Sequence, residues 1–242
     1  MIPLKDDTPR LSTPLLNYCL IVVNVVVFGF QCSLSRAERI QFIDAFSLVP
    51  ARLTAVLPEA LPHVHSHGNL ISPHIAPLAT VLTSMFIHGS AWHLMCNVWF
   101  LFIFGRKLEE TLGHFSYVLF YLTCGFAAAL AQILSNSVSV VPIIGASGAI
   151  AGVMGGYFIL YPRARVLMLV PFFFFFFLWL PAWAVLGYWF VLQFLNGVGT
   201  ALLAPERNSG GIALWAHVGG FMTGALLVRL FPVQARRYSS GK

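Results

Sequence analysis

Two polar residues stand inside apolar, glycine-rich stretches of this sequence. Ser147 lies in Gly-Ala-Ser-Gly-Ala at 145–149, and His217 lies in Ala-His-Val-Gly-Gly at 216–220. A serine is a poor nucleophile unless a base removes its proton, and histidine can do so near neutral pH when it is within hydrogen-bond reach. The pair could therefore hydrolyse an acyl bond if the fold brings the two side chains together.

A histidine and an asparagine form a second polar pair. His93 and Asn97 are four residues apart, which places them on one face of a helix. Acyl transfer needs such hydrogen-bond donors for its oxyanion, and the loss of one typically raises the barrier by about 3–4 kcal/mol. Taken alone, a pair of this kind more often makes a hydrogen bond between helices.

The composition around these residues is that of a membrane protein. Of the 242 residues, 58% are hydrophobic and 9% are charged, and the mean hydropathy is +0.82. These values lie far outside the range of soluble domains. A membrane span needs about 20 mostly apolar residues, and charges are disfavoured at the bilayer centre. The uncharged gaps between successive charges therefore mark the spans.

These gaps predict an all-α membrane protein with six transmembrane helices. Span one is predicted over Leu15–Phe30, span two over about Ser90–Phe104, and span five over roughly Phe172–Phe194, followed by a glycine-containing loop. Spans three and four share the gap between Glu110 and Arg163, where the polar run 135–139 and Pro142 separate them. Span six lies between Arg207 and Arg229. Ser147 is then on span four, His217 on span six, and His93 with Asn97 on span two.

Most Lys and Arg residues flank the spans on one side. They lie in the N-terminal segment, after span two at Arg106 and Lys107, after span four, and at the C-terminal end. By the positive-inside rule both termini are predicted to be cytoplasmic. The net charge of +6 is then a topology and lipid-attraction signal, and no basic helix or aromatic–basic repeat indicates a nucleic-acid partner.

All eight carboxylates lie outside the predicted spans. An intramembrane aspartyl protease needs two buried aspartates, a site-two-type metalloprotease needs an HExxH motif, and proton-coupled pumps usually need a buried carboxylate. The sequence excludes these classes. It also leaves no acidic residue in the spans to complete a Ser-His-Asp triad.

Ser147 and His217 can meet only if spans four and six touch. Glycines recur every fourth residue on span four, and two glycines share the face of His217 on span six: Gly148, Gly152, Gly156, Gly220 and Gly224. Small faces allow two helix backbones to approach closely. Because such faces are common in membrane helices that only pack, the glycines alone favour contact rather than catalysis.

Taken together, these residues resemble the rhomboid family of intramembrane serine proteases over roughly Thr83 to Leu230. The resembling segments are, in chain order, His88…His93…Asn97, the Phe104–Glu109 end of span two, Gly145–Gly148, and Ala216–Gly220 with Gly224. Each segment is weak alone, but four of them in this order on the expected spans make a specific match.

The resemblance implies a rhomboid-like bundle that uses no cofactor or metal and acts on transmembrane protein substrates. Ser147 would be the nucleophile, and His217 would be the general base and then the acid. The oxyanion hole would consist of Asn97, His93 and the Ser147 backbone N–H. Glu109 would be a structural, hydrogen-bonding glutamate.

One position departs from the family pattern. Many relatives carry an aromatic residue one turn after the nucleophile, where it packs on the base, and this chain has Ala151. The resemblance therefore does not say what holds His217.

Two other functions stay open at this point. A noncatalytic rhomboid-like protein would bind membrane clients, although such relatives usually lack the serine or the histidine. A small-solute transporter would be favoured by inverted repeats, and the two halves of the sequence show no self-similarity.

The predicted organisation has three parts. A cytoplasmic tail covers 1–14, the six-span domain covers 15–232 with an external loop at about 33–88, and a second cytoplasmic tail covers 233–242. Within the loop, Arg36–Leu57 predicts an interfacial helix. Six spans without a targeting extension match the simplest family form, so the expected location is a bacterial plasma membrane; no feature predicts an oligomeric state.

Two compositionally biased runs have alternative interpretations. His63, His65 and His67 alternate and could bind a metal, or they belong to a polar external loop. The six phenylalanines Phe172–Phe177 are either lipid-facing bulk on span five or a soft side wall where a substrate helix enters.

Overall fold

A computed structural model describes residues 2–55, 76–172, 174–203 and 213–233. The chain is mostly helical in these ranges, with one small sheet. In chain order the elements are β1 (Ile2–Asp6), α1 (Leu15–Ser33), α2 (Arg36–Phe46), α3 (Pro50–Ala55), α4 (Thr80–Thr83), a 3₁₀ turn (Ser84–Phe86), α5 (Ala91–Phe100), a π-helical turn (Leu101–Gly105), α6 (Arg106–Leu112), α7 (His114–Ser135), α8 (Ser147–Leu160), β2 (Arg165–Phe172), β3 (Phe174–Pro181), α9 (Ala182–Leu203), α10 (Leu214–Leu227) and a final 3₁₀ turn (Val228–Leu230).

Three of the described helices, α1, α7 and α9, are long and apolar enough to cross a membrane. A fourth span results if the segments Thr80–Phe86 and Ala91–Leu112, which meet at 94°, are counted together. The helices that carry Ser147 and His217 are apolar but shorter. The described helices thus support an apolar membrane bundle, with α8 and α10 below the usual length of a span.

Helix α8 is the central helix of the bundle. Nine consecutive residues, Ala149–Tyr157, are buried, so the helix is covered on every side. A helix that is apolar all round belongs in a core. Its 14 residues rise about 21 Å, less than the roughly 30 Å of a bilayer core. Helix α8 is therefore too short to cross the bilayer core from one side to the other.

Glycines bring α10 against α8, as their spacing predicts. A Cβ built on Gly220 would overlap the backbone carbonyl of Gly148, and one on Gly224 would overlap the backbone of Gly152. Backbone atoms cannot move aside as a flexible side chain can. The two helices therefore touch backbone to backbone, and this contact fixes the relative height of Ser147 and His217.

The helix of span two is longer than predicted. It is helical from Ala91 to Leu112 with a π turn at Leu101–Gly105, and it ends at Gly113, whose φ is +81°. Arg106 and Lys107, which the sequence places after span two and thus in the loop that follows it, belong to the helix instead, because the chain stays helical until Gly113 adopts a positive φ. Charged residues limit the length of the apolar span, but the helix continues beyond them.

Glu109 joins this helix to the start of α1. Its carboxylate oxygens accept hydrogen bonds from the backbone N–H of Leu16 (3.0 Å) and Asn17 (2.6 Å), and it also pairs with His114. The first N–H groups of a helix lack partners within the helix and favour negative charge. Glu109 is 1% exposed, so its contacts in the structure are of the kind expected for a structural glutamate.

The prediction for span five is wrong at its start. Strands β2 and β3 form an antiparallel pair, β3 lies where the predicted helix would begin, and α9 begins at Ala182, ten residues after the predicted start. The described part of the phenylalanine run is therefore not the first half of a helix; Phe175 and Phe177 lie on β3 and are exposed. Apolar strands and apolar helices have the same hydropathy, and aromatic residues favour strands. At its far end α9 continues past Gly197 and Gly199, where a loop was predicted.

The N-terminal segment is also more ordered than the predicted tail. Strand β1 pairs with β2 in an antiparallel sheet of order β1-β2-β3, which is the departure from an all-α architecture. Trp99 donates from Nε1 to the Pro3 carbonyl at 2.5 Å, and Tyr157 donates to the Asp6 carboxylate at 2.7 Å. These two bonds hold the sheet against α5 and against the C-terminal part of α8.

The segment predicted as an external loop contains the predicted interfacial helix in two pieces. Helix α2 starts with a capping box, in which Ser35 and Glu38 each bind the other's backbone N–H, and α3 follows from Pro50. The alternating histidines His63, His65 and His67 lie outside the described residues.

Candidate active site

Ser147 is the first residue of α8. The backbone N–H groups of a helix's first turn have no acceptor within the helix, and the helix dipole makes this end favourable for negative charge. The N–H of Ser147 is one of these groups, next to its own hydroxyl. A tetrahedral intermediate formed on Oγ would therefore place its oxyanion at a helix N-terminus.

The loop before α8 requires a glycine at Gly145. Its φ is +112°, a conformation that side chains disfavour, and its N–H donates to the Ser84 carbonyl at 2.9 Å. A Cβ at this residue would lie 2.6 Å from the imidazole Nε2 of His93 and 3.5 Å from the amide nitrogen of Asn97. The missing side chain lets both predicted oxyanion residues approach the backbone two residues before Ser147.

His217 lies in the first turn of α10 and faces Ser147 across the glycine contact. Its Nε2 is 2.8 Å from Ser147 Oγ. The start of α10 is held from α7, where the Gln132 side chain accepts a hydrogen bond from the Ala216 N–H at 3.1 Å. The structure thus brings together two residues that are 70 positions apart in the sequence.

The other side of His217 is covered by α9. Its Nδ1 lies 2.9 Å from the Gln193 side-chain oxygen. The Trp189 ring packs beside the imidazole, with centroids 5.7 Å apart and planes at 41°. His217, on α10, therefore contacts α8 through Ser147 and α9 through Gln193 and Trp189.

Asn97 on α5 is fixed by a short relay of hydrogen bonds. Its amide nitrogen lies 2.9 Å from His88 Nε2, and since the amide can only donate, the ring nitrogen accepts. The backbone N–H and C=O of His88 are both bound by the Gln31 side chain at 3.1 Å. An amide group has two hydrogens, so Asn97 keeps a second donor for another acceptor.

All four predicted site residues line one cavity of about 880 Å³, together with Gln193. The cavity wall combines apolar rings with neutral polar groups, and no Asp, Glu, Lys or Arg is among the described residues that line it. Such a cavity can hold water and an extended polar chain inside an otherwise apolar bundle. A neutral wall also keeps the reacting groups free of competing ion pairs.

Sequence reasoning missed three residues of this site. Gln193 and Trp189 on α9 contact His217, and Gln31 on α1 supports His88. For Gln193 and Gln31 the available signal was a lone glutamine within an apolar run, and for Trp189 there was none. That signal does not say which neighbour the glutamine meets, because the contact is made between helices.

The comparisons with known proteins agree with one another. A family model described as Rhomboid domain matches residues 76–233. The chain is similar to Rhomboid protein 1, mitochondrial, of Saccharomyces cerevisiae, with 27% identity over 223 residues, which are 87% of this chain and 51% of that protein. It is similar to RHOMBOID-like protein 4 of Arabidopsis thaliana, with 26% identity over 230 residues, which are 88% of this chain and 52% of that protein.

A shorter match has higher identity. Rhomboid-like protein 11, chloroplastic, of Arabidopsis thaliana is 43% identical over 74 residues, which are 29% of this chain and 25% of that protein. The chain spans about half the length of the curated relatives that match it along most of its own length.

Proposed function

The chain belongs to the rhomboid family, and we propose that it is an intramembrane serine endopeptidase that hydrolyses peptide bonds in or near the transmembrane segments of membrane proteins. The observation that carries the proposal is the 2.8 Å hydrogen bond between Ser147 Oγ and His217 Nε2 at the wall of a large neutral cavity. A hydroxyl at a helix N-terminus, paired with an imidazole, is an arrangement suited to acyl transfer.

In the first proposed step the peptide is cut. Ser147 Oγ attacks the substrate carbonyl carbon while His217 Nε2 takes the hydroxyl proton. The negative charge on the carbonyl oxygen is met by the Ser147 N–H, the Asn97 amide and the His93 ring. When the C–N bond breaks, His217 gives its proton to the leaving amine. The C-terminal fragment departs with a new amino terminus, and the acyl part of the substrate stays bound to Ser147 Oγ as an ester.

In the second step water replaces the amine. His217 takes a proton from the water, whose oxygen attacks the ester carbon, and the proton then returns to Ser147 Oγ as the ester bond breaks. A carboxylic acid terminus is released, and the enzyme is restored. The polar groups of the cavity, which include Gln132 and Ser139, give water a path to a site that is otherwise surrounded by apolar helices.

The proposed substrates are single-span membrane proteins with a locally weak helix. Backbone amides within a helix are hydrogen-bonded to one another, so a substrate must unwind before its carbonyl can reach Ser147. Small or helix-weakening residues near the cut favour unwinding. The cavity lies at the N-terminal ends of α8 and α10, which in the proposed six-span topology with cytoplasmic termini is the outer side of the membrane.

The proposed location has two parts, which are integration into a membrane and the identity of that membrane. The apolar helices and the family support an integral membrane protein. A bacterial plasma membrane remains the prediction from the six-span form, whereas two of the similar proteins are named as mitochondrial and chloroplastic.

The proposal is tested by labelling with a fluorophosphonate probe and by cleavage of a model transmembrane substrate in liposomes. We expect the folded, detergent-solubilised protein to be labelled at Ser147, since only an activated serine reacts, and to cut the substrate. Heat-unfolded protein is the control and should not label. If the folded protein neither labels nor cleaves, a noncatalytic, client-binding function is the better interpretation.

Asn97→Ala tests the proposed oxyanion hole. The variant loses a donor that strengthens only as charge develops, so we expect kcat to fall about 10²–10³-fold with KM little changed. Steady-state cleavage in detergent measures both constants. Met95→Ala, two residues away on the exposed side of the same helix, is the matched control and should keep both constants close to wild type. An Asn97→Ala variant with unchanged kcat would remove this residue from the mechanism.

A further inference from the structure

We propose that α9 supplies the third member of the catalytic group: Gln193 orients His217, and Trp189 takes the place of the aromatic residue that is missing at Ala151. This inference rests on the proposed function, because it assigns a role within the same site. Gln193 is a positioning residue in this scheme, since it acts on the substrate only through the imidazole.

The hydrogen bond fixes which ring nitrogen carries the proton. The Gln193 side-chain oxygen, 2.9 Å from His217 Nδ1, can only accept, so Nδ1 must hold the hydrogen. Nε2 then presents its lone pair to the Ser147 hydroxyl at 2.8 Å. The opposite tautomer would direct an N–H at Ser147 and could not take its proton. Gln193 therefore selects the tautomer in which His217 is a base.

A glutamine suits this task in an apolar bundle. In soluble serine hydrolases an aspartate holds the equivalent nitrogen and stabilises the imidazolium. A buried carboxylate is costly at bilayer depth, whereas an amide oxygen offers the same geometry without a net charge. The neutral lining of the cavity among the described residues agrees with an uncharged third member.

Trp189 and Gln193 act from one face of α9. They are four residues apart, so their side chains lie one above the other. Trp189 packs on His217 at 5.7 Å and on Phe221 at 6.2 Å between ring centroids. Ala151 on α8 is fully buried, so its surroundings are already filled. The ring that packs beside the base is thus carried by the neighbouring helix.

The position of α9 consequently controls the base. Only 11% of the most apolar stretch of α9 is buried, compared with 39% for α7, so α9 is held by fewer internal surfaces. A displacement of α9 away from α10 would remove Gln193 and Trp189 from His217 together. Ser147 and His217 themselves would stay in place, because the glycine contact holds α8 and α10 together.

Two variants test the role of Gln193. In Gln193→Leu the tautomer is no longer fixed, and we expect labelling and kcat to fall about tenfold or more with little change in KM. In Gln193→Glu an acceptor of the same length is kept, so activity should be largely restored. The added carboxylate favours the protonated imidazole, and the acid side of the pH–rate profile should move to higher pH. A purely structural role would not move that profile.

Tyr188→Phe is the matched control, because it removes a polar group from the exposed side of α9 and should leave rate and profile unchanged. Thermal unfolding in detergent shows whether each variant is folded. If Gln193→Leu does not fold, the pH–rate profile of Gln193→Glu tests the inference instead. The inference is overturned if folded Gln193→Leu labels at the wild-type rate, or if Gln193→Glu keeps the wild-type pH profile. If wild-type protein does not label at all, the proposed function fails and the inference fails with it.

Discussion

Replacement of Ser147 by alanine is expected to abolish fluorophosphonate labelling and to lower cleavage of a transmembrane substrate by about 10⁴-fold or more, and His217→Ala should have nearly the same effect. The two residues act as one unit, because the serine is a nucleophile only while the imidazole at 2.8 Å accepts its proton. Removal of either member should therefore cost almost as much as removal of both. The double variant measures this non-additivity directly.

Ser33→Ala is a suitable control, since it removes an exposed hydroxyl at the end of α1 and should cleave at the wild-type rate. Ser147→Ala should also keep the wild-type unfolding temperature, because only one oxygen atom is removed. If either purified single variant still cut the substrate at the wild-type rate, the dyad assignment would be wrong.

Gly220→Ala is expected to reduce both stability and activity although it adds a single methyl group. The new Cβ would overlap the Gly148 carbonyl, and since both partners are backbone, the helices must separate. Overpacking of this kind typically destabilises by about 1–3 kcal/mol. Gly148 directly follows Ser147, so the separation also lengthens the hydrogen bond to His217. Thermal unfolding in detergent and the rate of probe labelling should fall together.

Two other helix glycines provide matched controls for this experiment. Gly29 on α1 and Gly199 on α9 have nothing within 4 Å of a built Cβ. Alanine there should be neutral or stabilising by up to about 1 kcal/mol, because it is the better helix former. If the Gly220→Ala protein labelled and unfolded like wild type, the α8–α10 contact would have room for a methyl group that the structure does not show.

The sequence was sufficient for features whose cause is local. The charges around spans three, four and six bound apolar gaps of the right length, and the corresponding helices α7, α8 and α10 fall inside those gaps. The glycine spacing predicted the α8–α10 contact for the same reason, because a helical repeat is visible in one chain segment at a time.

Features that depend on contacts between residues far apart in the sequence could not be predicted in this way. Hydropathy does not distinguish an apolar strand from an apolar helix, so Phe175–Phe177 were assigned to span five although they pair with β2. Strand β1 pairs with residues more than 150 positions away. Gln193 belongs to the site only because α9 lies beside α10, and nothing in its own sequence surroundings states that.

The backbone contact between α8 and α10 also has a consequence for biosynthesis. A ribosome makes the nucleophile 70 residues before it makes the base. Until α10 has entered the membrane and docked, α8 carries a serine whose proton His217 cannot yet remove. Docking of α10 is then the step that switches on the proposed protease, and a partly synthesised chain cannot cut the membrane proteins that are being inserted next to it.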